Sequence, residues 1–348
     1  MSHLTYLEAG VVGLIQGVTE LFPVSSLGHN VLIPALIGGS WASDLNVARP
    51  ESPYLAFIVG MHVATAIALL IYFWRDWVRI IGGFFTSLAH WQRWHPRVVT
   101  RDETLAWMII LATIPVGLVG LVAEHTFRVL FGKPILAAVF LIVNGLILYC
   151  GEKFRPRASV RADQEVAAER ADALAARPPE PAPRPVPDGP RAVPRAAAPS
   201  AGHQAVRQDE ISRALASDER LAGAGFTEAL IIGSSQILAL LAGISRDGVT
   251  MVTGMARGLS REDAARFAFL LATPVILAAG VLKVPDLTGP LGRGIHGQIL
   301  LGSVLSGVGA YLSVRFLVRY FQTRTLYPFA VYCFVFGLLS VIYLGVIK

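Results

Sequence analysis

Phe22-Pro23-Val24-Ser25-Ser26-Leu27-Gly28-His29 is a polar break between two apolar segments near the start of the chain. Pro23 has no backbone N–H to donate, and Gly28 can adopt backbone angles that other residues avoid. The apolar segments on either side are each too short to cross a hydrocarbon layer of about 30 Å. Broken helices at membrane depth are tolerated where they line a protein cavity. We therefore predict a re-entrant helix pair over about 5–38.

A second break, Ala242-Gly243-Ile244-Ser245-Arg246-Asp247-Gly248, interrupts an apolar segment at 226–257. The two regions share residues at a constant offset of 220 positions, since Glu8-Ala9, Gly13, Gln16, Ser25 and Gly28 recur as Glu228-Ala229, Gly233, Gln236, Ser245 and Gly248. This repetition predicts two halves, each with one re-entrant pair and three membrane spans. Three is an odd number, so the second half enters the membrane in the opposite orientation, as an inverted repeat.

The composition agrees with a membrane protein, because 54% of the 348 residues are hydrophobic and only 16% are charged. The first repeat, 1–150, has predicted spans at about 54–74, 104–123 and 134–150. The second repeat, 226–348, has predicted spans at about 262–283, 298–318 and 326–347. The predicted fold class is an all-α integral membrane protein. Only two cysteines are present, which excludes a disulfide framework or a cysteine-rich zinc site.

Residues 151–225 differ from the rest of the chain because they are rich in Ala, Pro and Arg and poor in aromatic and branched apolar residues. Such a composition buries too little apolar surface to form a core. We predict a disordered cytoplasmic loop, with a Pro-rich stretch at 177–185 as its most irregular part.

Basic residues that flank the predicted spans are concentrated on one predicted side of the membrane, which by the positive-inside rule is the cytoplasm. They are Arg75, Arg79, Arg93, Arg97, Arg101, Lys153, Arg155, Arg157, Arg257, Arg261, Arg266, Arg315, Arg319 and Arg324. This distribution predicts that both termini are extracytoplasmic. The basic residues are therefore explained by the orientation of the protein in the membrane. Nucleic acid is not an expected partner.

Polar side chains on the first re-entrant pair are candidates for chemistry. Gln16 and Glu20 are four residues apart and share a helix face, and a carboxylate at membrane depth is costly unless it has a role or a partner. Ser25, Ser26 and His29 follow on the break, where a serine and a histidine can supply a nucleophile and a base. The alternative is that Glu20 belongs to an ion pair that only fixes packing.

The second break complements the first with Arg246, whose guanidinium fork matches phosphate oxygens. Ser245, Gly248 and the hydroxyl of Thr250 lie at the start of the following helix, where backbone amides favour an anion. Arg246 could instead only neutralise Glu20 or Asp247. His62, inside a span, is equally a packing histidine or a site residue. The combined set predicts a ligand with a phosphate group and a lipid tail, which is either hydrolysed or moved across the membrane.

Both breaks resemble the bacterial undecaprenyl-diphosphatase family, whose members are also linked to bacitracin resistance. The resemblance rests on two motifs: Gln16-Gly17, Thr19-Glu20, Pro23-Val24-Ser25-Ser26 and Gly28-His29 in the first half, and Gly243-Ile244-Ser245-Arg246-Asp247-Gly248-Val249-Thr250 in the second. It implies hydrolysis of undecaprenyl diphosphate to undecaprenyl phosphate and inorganic phosphate in the bacterial plasma membrane. It also implies a divalent cation, Mg²⁺ above all, as cofactor.

The resemblance places Glu20, Ser26, His29 and Arg246 at the family's functional positions, as catalytic residues. Gln16, Ser25, Ser245, Gly248 and Thr250 are the expected substrate-binding residues, and Glu20 with Asp247 the expected metal ligands. The identity of the nucleophile is left open between Ser26, His29 and an activated water. Whether the protein forms a homodimer is also left open.

Two residues depart from the family pattern, because Ala242 replaces a proline and Asp247 replaces a serine beside the arginine. A carboxylate at that place either adds a metal ligand or repels the phosphate. The second case would leave a non-hydrolytic paralogue. A lipid-phosphate transporter is the other alternative, since transporters also use inverted repeats with broken helices.

Overall fold

The computed structural model describes residues 4–45, 53–92, 100–131, 133–175, 201–288 and 294–347. Over these ranges the regular elements are helices, with no strand. Five helical segments are long and apolar enough to cross a membrane: Arg101–Val122, Pro134–Lys153, Arg261–Leu282, His296–Tyr320 and Tyr327–Val346. The protein is therefore an all-α multi-pass membrane protein, as predicted.

The helices of the first half follow the predicted order, with two additions. They are α1 (Tyr6–Leu21), α2 (Ser26–Ile37), α3 (Gly39–Asp44), α4 (Pro53–Tyr72), α5 (Trp74–Gln92), α6 (Arg101–Phe131) and α7 (Pro134–Lys153). The short α3 and the amphipathic α5 were not predicted. The chain bends by 86° between α4 and α5, so the span predicted at 54–74 ends at this elbow.

The second half follows the predicted order closely. Its helices are α8 (Arg157–Ala175), α9 (Ala201–Ala224), α10 (Phe226–Ser235), α11 (Arg246–Ala256), α12 (Arg261–Thr288), α13 (His296–Tyr320) and α14 (Tyr327–Ile342). A 3₁₀ turn over Gln236–Leu240 extends α10, and a π-helical turn over Tyr343–Ile347 extends α14. After the second break, α11 begins at Arg246.

The prediction of disorder for 151–225 is wrong for the described part of this segment, because α8 and α9 occupy it. Ala, Arg and Glu are strong helix formers, and they dominate both helices. Their charges pair with the membrane-spanning helices, as when Arg220 donates to Asp263 at 2.8 Å and Arg170 to Glu262 at 2.7 Å. These ion pairs attach the segment together with Leu221 of α9, which is 1% exposed and belongs to the apolar core. The Pro-rich stretch at 177–185 lies outside the described residues.

Helices of each half pack against helices of the other half. The first re-entrant helix α1 packs on α13 of the second half, and its counterpart α10 packs on α6 of the first half. The third spans α7 and α14 pack on each other, as do α4 and α12. A twofold relation between the halves would mirror the α1–α13 contact in the α10–α6 contact, so these contacts fit the predicted repeat. The opposite orientation of the halves stays a prediction.

Small residues allow α1 and α13 to cross at close range. A Cβ atom added to Gly17 would lie 2.2 Å from the carbonyl oxygen of Ser306, and one added to Gly13 would lie 2.5 Å from that of Gly302. Two facing pairs of small residues four positions apart therefore form the crossing, which is the packing that membrane helices favour.

Replacing Gly17 by alanine is expected to lower the free energy of unfolding by about 1–3 kcal/mol, because the methyl group meets backbone that cannot move aside. The measurement is thermal unfolding of the purified protein in detergent. Gly10→Ala on the same helix is the matched control, since its methyl group would lie 3.5 Å from a leucine side chain. Equal unfolding midpoints for the two variants would contradict the close crossing.

Candidate functional site

Three charged or nucleophilic groups meet where the two breaks face each other. Ser26, the first residue of α2, donates its hydroxyl hydrogen to one carboxylate oxygen of Glu20, near the end of α1. Arg246, the first residue of α11, donates from Nη2 to the other carboxylate oxygen at 3.3 Å. The Glu20 side chain is only 7% exposed and that of Arg246 12%. The structure therefore brings together three of the four predicted catalytic residues.

Gln16 orients the Glu20 carboxylate from the preceding helical turn. Its Nε2 donates to Glu20 at 2.8 Å, while its Oε1 accepts from Asn30 Nδ2 at 2.5 Å. The second contact fixes which way the amide points, because Asn30 Nδ2 can only donate. Gln16 is fully buried, so it acts on the carboxylate and is not itself open to a ligand.

His62 on α4 also belongs to this cluster, which the sequence left undecided. Its Nδ1 lies 2.9 Å from the carbonyl oxygen of Ile58 and therefore carries the hydrogen in that bond. Its Nε2 then faces Gln16 Nε2 at 3.3 Å and a Glu20 oxygen at 3.6 Å. With 27% of its side chain exposed, His62 is more open than Glu20 and Arg246, whose side chains are 7% and 12% exposed. No local pattern around a single intramembrane histidine could have shown this.

Arg246 is held between two carboxylates and a backbone carbonyl. Its Nη1 donates to the carbonyl oxygen of Ala272 at 3.1 Å, and its Nη2 lies 3.3 Å from Asp247 Oδ1 as well as from Glu20. Asp247 is 1% exposed, and neither of its carboxylate oxygens accepts a hydrogen bond from any described residue. A buried carboxylate is costly without such partners, so Asp247 is a strong candidate for a ligand contact.

His29 lies outside the cluster, although it was predicted to be catalytic. Its Nδ1 donates to the carbonyl oxygen of Ser25 at 2.7 Å, and its Nε2 lies 2.7 Å from the hydroxyl of Tyr332. The ring is stacked on Tyr332 and Phe336 of α14 and is 2% exposed. Both ring nitrogens are engaged, so His29 supports the first break and makes no described contact with Glu20 or Ser26.

The predicted substrate-binding residues other than Gln16 build the two breaks. Ser25 has a positive φ of 66°, and its hydroxyl accepts from the amides of Gly28 and Gly243, each at 3.2 Å. The Ser245 hydroxyl accepts from the Gly248 amide at 3.1 Å, and Thr250 donates to the carbonyl of Arg246 at 2.7 Å. All these polar groups are used within the protein, and their predicted contact with substrate gains no support from this geometry.

Asn144 on α7 connects the two breaks by hydrogen bonds. Its Nδ2 donates to the carbonyl of Pro23 at 3.0 Å, and its Oδ1 accepts from the amide of Ser245 at 2.9 Å. A single buried amide therefore fixes the distance between the break that carries Ser26 and the break that carries Arg246.

Fold and site together define a multi-pass membrane protein with an ionisable cluster inside its helix bundle, built from two facing helix breaks. The family of the bacitracin resistance protein BacA matches residues 9–175 and 203–339. The chain belongs to this family. It is 56% identical to an undecaprenyl-diphosphatase of Mycolicibacterium paratuberculosis and 55% identical to one of Mycobacterium avium, each over 99% of both chains. It is 53% identical to undecaprenyl-diphosphatase 2 of Frankia alni over 98% of both chains.

Proposed function

We propose that this protein hydrolyses undecaprenyl diphosphate to undecaprenyl phosphate and inorganic phosphate, which recycles the carrier lipid for cell-wall synthesis. The observation that carries the proposal is the contact of Ser26 and Arg246 with the two oxygens of one buried carboxylate, Glu20. A nucleophile, a proton acceptor and a phosphate-binding cation are thereby collected at one point. Relatives that cover the whole chain and are named undecaprenyl-diphosphatase support the substrate.

In the proposed reaction, Ser26 Oγ attacks the terminal phosphorus while Glu20 accepts the hydroxyl proton. The bond from that phosphorus to the bridging oxygen breaks, and undecaprenyl phosphate leaves with the electron pair. Water then attacks the phosphoserine, which releases inorganic phosphate and restores the Ser26 hydroxyl. Arg246 balances the charge on the transferred group, and such fixed charges supply much of the catalysis of phosphoryl transfer.

Ser26 is the preferred nucleophile because its hydroxyl already donates to Glu20. His29 is disfavoured, since attack by either nitrogen would first require loss of its bond to Ser25 or Tyr332. His62 faces the cluster with Nε2 and is suited to hold the attacking water of the second step. Gln16 keeps Glu20 oriented throughout.

The residues present fit a divalent-cation site whose remaining ligands come from the substrate. Mg²⁺ is typically bound by one or two carboxylates together with phosphate oxygens and waters. Glu20 and Asp247 flank Arg246 Nη2 at 3.3 Å each, and Asp247 has no other described partner for its oxygens. The described residues contain no group of three or more ligands that could hold a metal alone. When bound, the cation would neutralise diphosphate charge.

Asp247→Ser is expected to raise the Mg²⁺ concentration for half-maximal phosphate release by about tenfold or more, because a ligand is lost. The measurement is a Mg²⁺ titration of activity, with Asp247→Asn as a second variant that keeps the size of the side chain. A faster reaction with an unchanged Mg²⁺ requirement would instead mean that the carboxylate repels the substrate.

The function itself is tested with purified protein in detergent, a polyprenyl diphosphate and Mg²⁺, by measuring released phosphate. Bound lipid without release would overturn the hydrolase proposal, and release that survives both Ser26→Ala and Arg246→Ala would overturn the site. A lipid that changes leaflet in sealed vesicles with its diphosphate intact would instead support transport.

We further propose that the protein lies in the bacterial plasma membrane with both termini outside, on the basis of the arginine distribution. Labelling of cysteines introduced near either end of the chain, by a reagent that does not cross membranes, tests this orientation in intact cells.

A further inference from the structure

Most of the arginines that flank the spans are held by carboxylates. Among them, Arg79, Arg155, Arg220, Arg261 and Arg266 have at least one such contact within 3 Å. Arg315 and Arg324 are different, because the guanidinium of neither forms an ion pair or a hydrogen bond with a described residue. Arg319, between them, has one long contact of 3.4 Å with Glu210, in which both side chains are about 60% exposed.

These arginines continue a face of α13 that is turned away from the protein. Val308, Leu312 and Phe316 on this face are 53%, 58% and 51% exposed, within a helix apolar enough to span the membrane. Arg315 and Arg319 follow at helical spacings of three and four residues, so they share that face. An exposed apolar stripe therefore ends in two cations, of which Arg315 pairs with no carboxylate of the described residues and Arg319 has only the long contact with Glu210.

The end of the stripe forms a groove with a volume of about 450 Å³. Leu312, Phe316 and Tyr320 contribute apolar surface, the three arginines contribute charge, and none of its described lining residues is Asp or Glu. Tyr320 donates its hydroxyl hydrogen to the carbonyl of Thr325 at 3.2 Å, which fixes the turn that carries Arg324. A larger cavity of about 780 Å³ beside α9 is lined by arginines and carboxylates alike, so the excess of positive charge distinguishes the groove from that cavity.

We propose that this groove, formed by Leu312, Arg315, Phe316, Arg319, Tyr320 and Arg324, binds the phosphate head group of an anionic membrane phospholipid. Guanidinium groups bind phosphate oxygens with paired hydrogen bonds, and long arginine side chains reach from a lipid-facing helix to the head groups. The first carbons of an acyl chain would lie on Leu312 and Phe316. The groove shares no residue with the Glu20–Arg246 cluster, and the proposal does not depend on hydrolysis.

The test uses the full-length protein in non-ionic detergent with fluorescently labelled phosphatidylglycerol. Arg315→Gln/Arg324→Gln is expected to raise the half-saturating lipid fraction about tenfold or more, since each basic residue near a membrane surface contributes about fivefold. Arg157→Gln/Arg161→Gln removes the same charge from exposed positions on α8 and should change binding less than about twofold. Unlabelled phosphatidylglycerol should displace the probe, while phosphatidylcholine and inorganic phosphate should not.

Three results would overturn the proposal. Equal losses in the two double variants would mean that net charge alone attracts the lipid. Displacement by phosphatidylcholine as effective as that by phosphatidylglycerol would remove the role of the anionic head group. Displacement by polyprenyl phosphate but not by phosphatidylglycerol would assign the groove to the carrier lipid. All four substituted arginines are on exposed parts of the chain, so an unchanged unfolding midpoint serves as the check on folding.

Discussion

Glu20→Gln is expected to lower the turnover number for phosphate release by about hundredfold or more, with a much smaller change in KM. Glutamine keeps the size of the side chain but cannot accept the Ser26 proton, and proton transfer by a positioned group typically contributes at least that factor. At saturating Mg²⁺, which offsets the loss of Glu20 as a proposed metal ligand, the loss should fall on turnover because Arg246, which binds the phosphate in our proposal, stays in place. The measurement is steady-state phosphate release from a polyprenyl diphosphate.

Two further variants separate chemistry from folding. Glu8→Gln, on the same helix, alters a carboxylate that accepts from Thr5 in the helix cap at 2.8 Å, so it should cost some stability and leave turnover unchanged. Glu20→Asp keeps the charge opposite Arg246 but draws the carboxylate back from Ser26, and such misplacement should still cost about tenfold or more. A folded Glu20→Gln protein with turnover within about threefold of wild type would contradict the role of Glu20 as proton acceptor.

The sequence predicted the two breaks because proline and glycine act locally, within a few residues of their own position. Pro23 and Gly28 end one helix and permit the next wherever the rest of the chain lies. A contact between Glu20 and Arg246 was one of the alternatives that the sequence left open, and the shared pattern favoured it because inverted repeats bring broken helices together. These predictions needed no knowledge of side-chain packing.

Other parts of the site depend on distant partners and could not be predicted. His62 joins the cluster only because α4 crosses beside α1, and Asn144 clamps both breaks from a helix that carries no motif. The surroundings of His29 could not be predicted for the same reason, since Tyr332, which is 303 residues away in sequence, engages its Nε2. Local pattern identified the polar residues, but tertiary packing decided which of them face one another.

The order of the segment 151–225, called the insert below, could not be predicted because the interactions that stabilise its helices are also long-range. Asp218 on α9 is an example. Asp218→Ala is expected to destabilise the docking of α9 by about 3–5 kcal/mol, the usual cost of breaking a buried ion pair on one side. Its side chain is fully buried and accepts from Arg79 at 2.7 Å and from Arg266 at 2.9 Å. Without it, two arginines on α5 and α12 lose their contact with the insert.

Limited trypsin digestion measures this docking, because cleavage after Arg220 requires α9 to open locally. Each 1.4 kcal/mol corresponds to a factor of about ten, so the initial cleavage rate of Asp218→Ala should rise about hundredfold or more. Glu210→Ala on the same helix removes an exposed pair with Arg319, and it should change the rate less than about fivefold. Similar rates for the two variants would mean that burial of the ion pairs does not hold the insert. Asp76 also bonds both arginines and would then be the residue that keeps α5 and α12 together without α9.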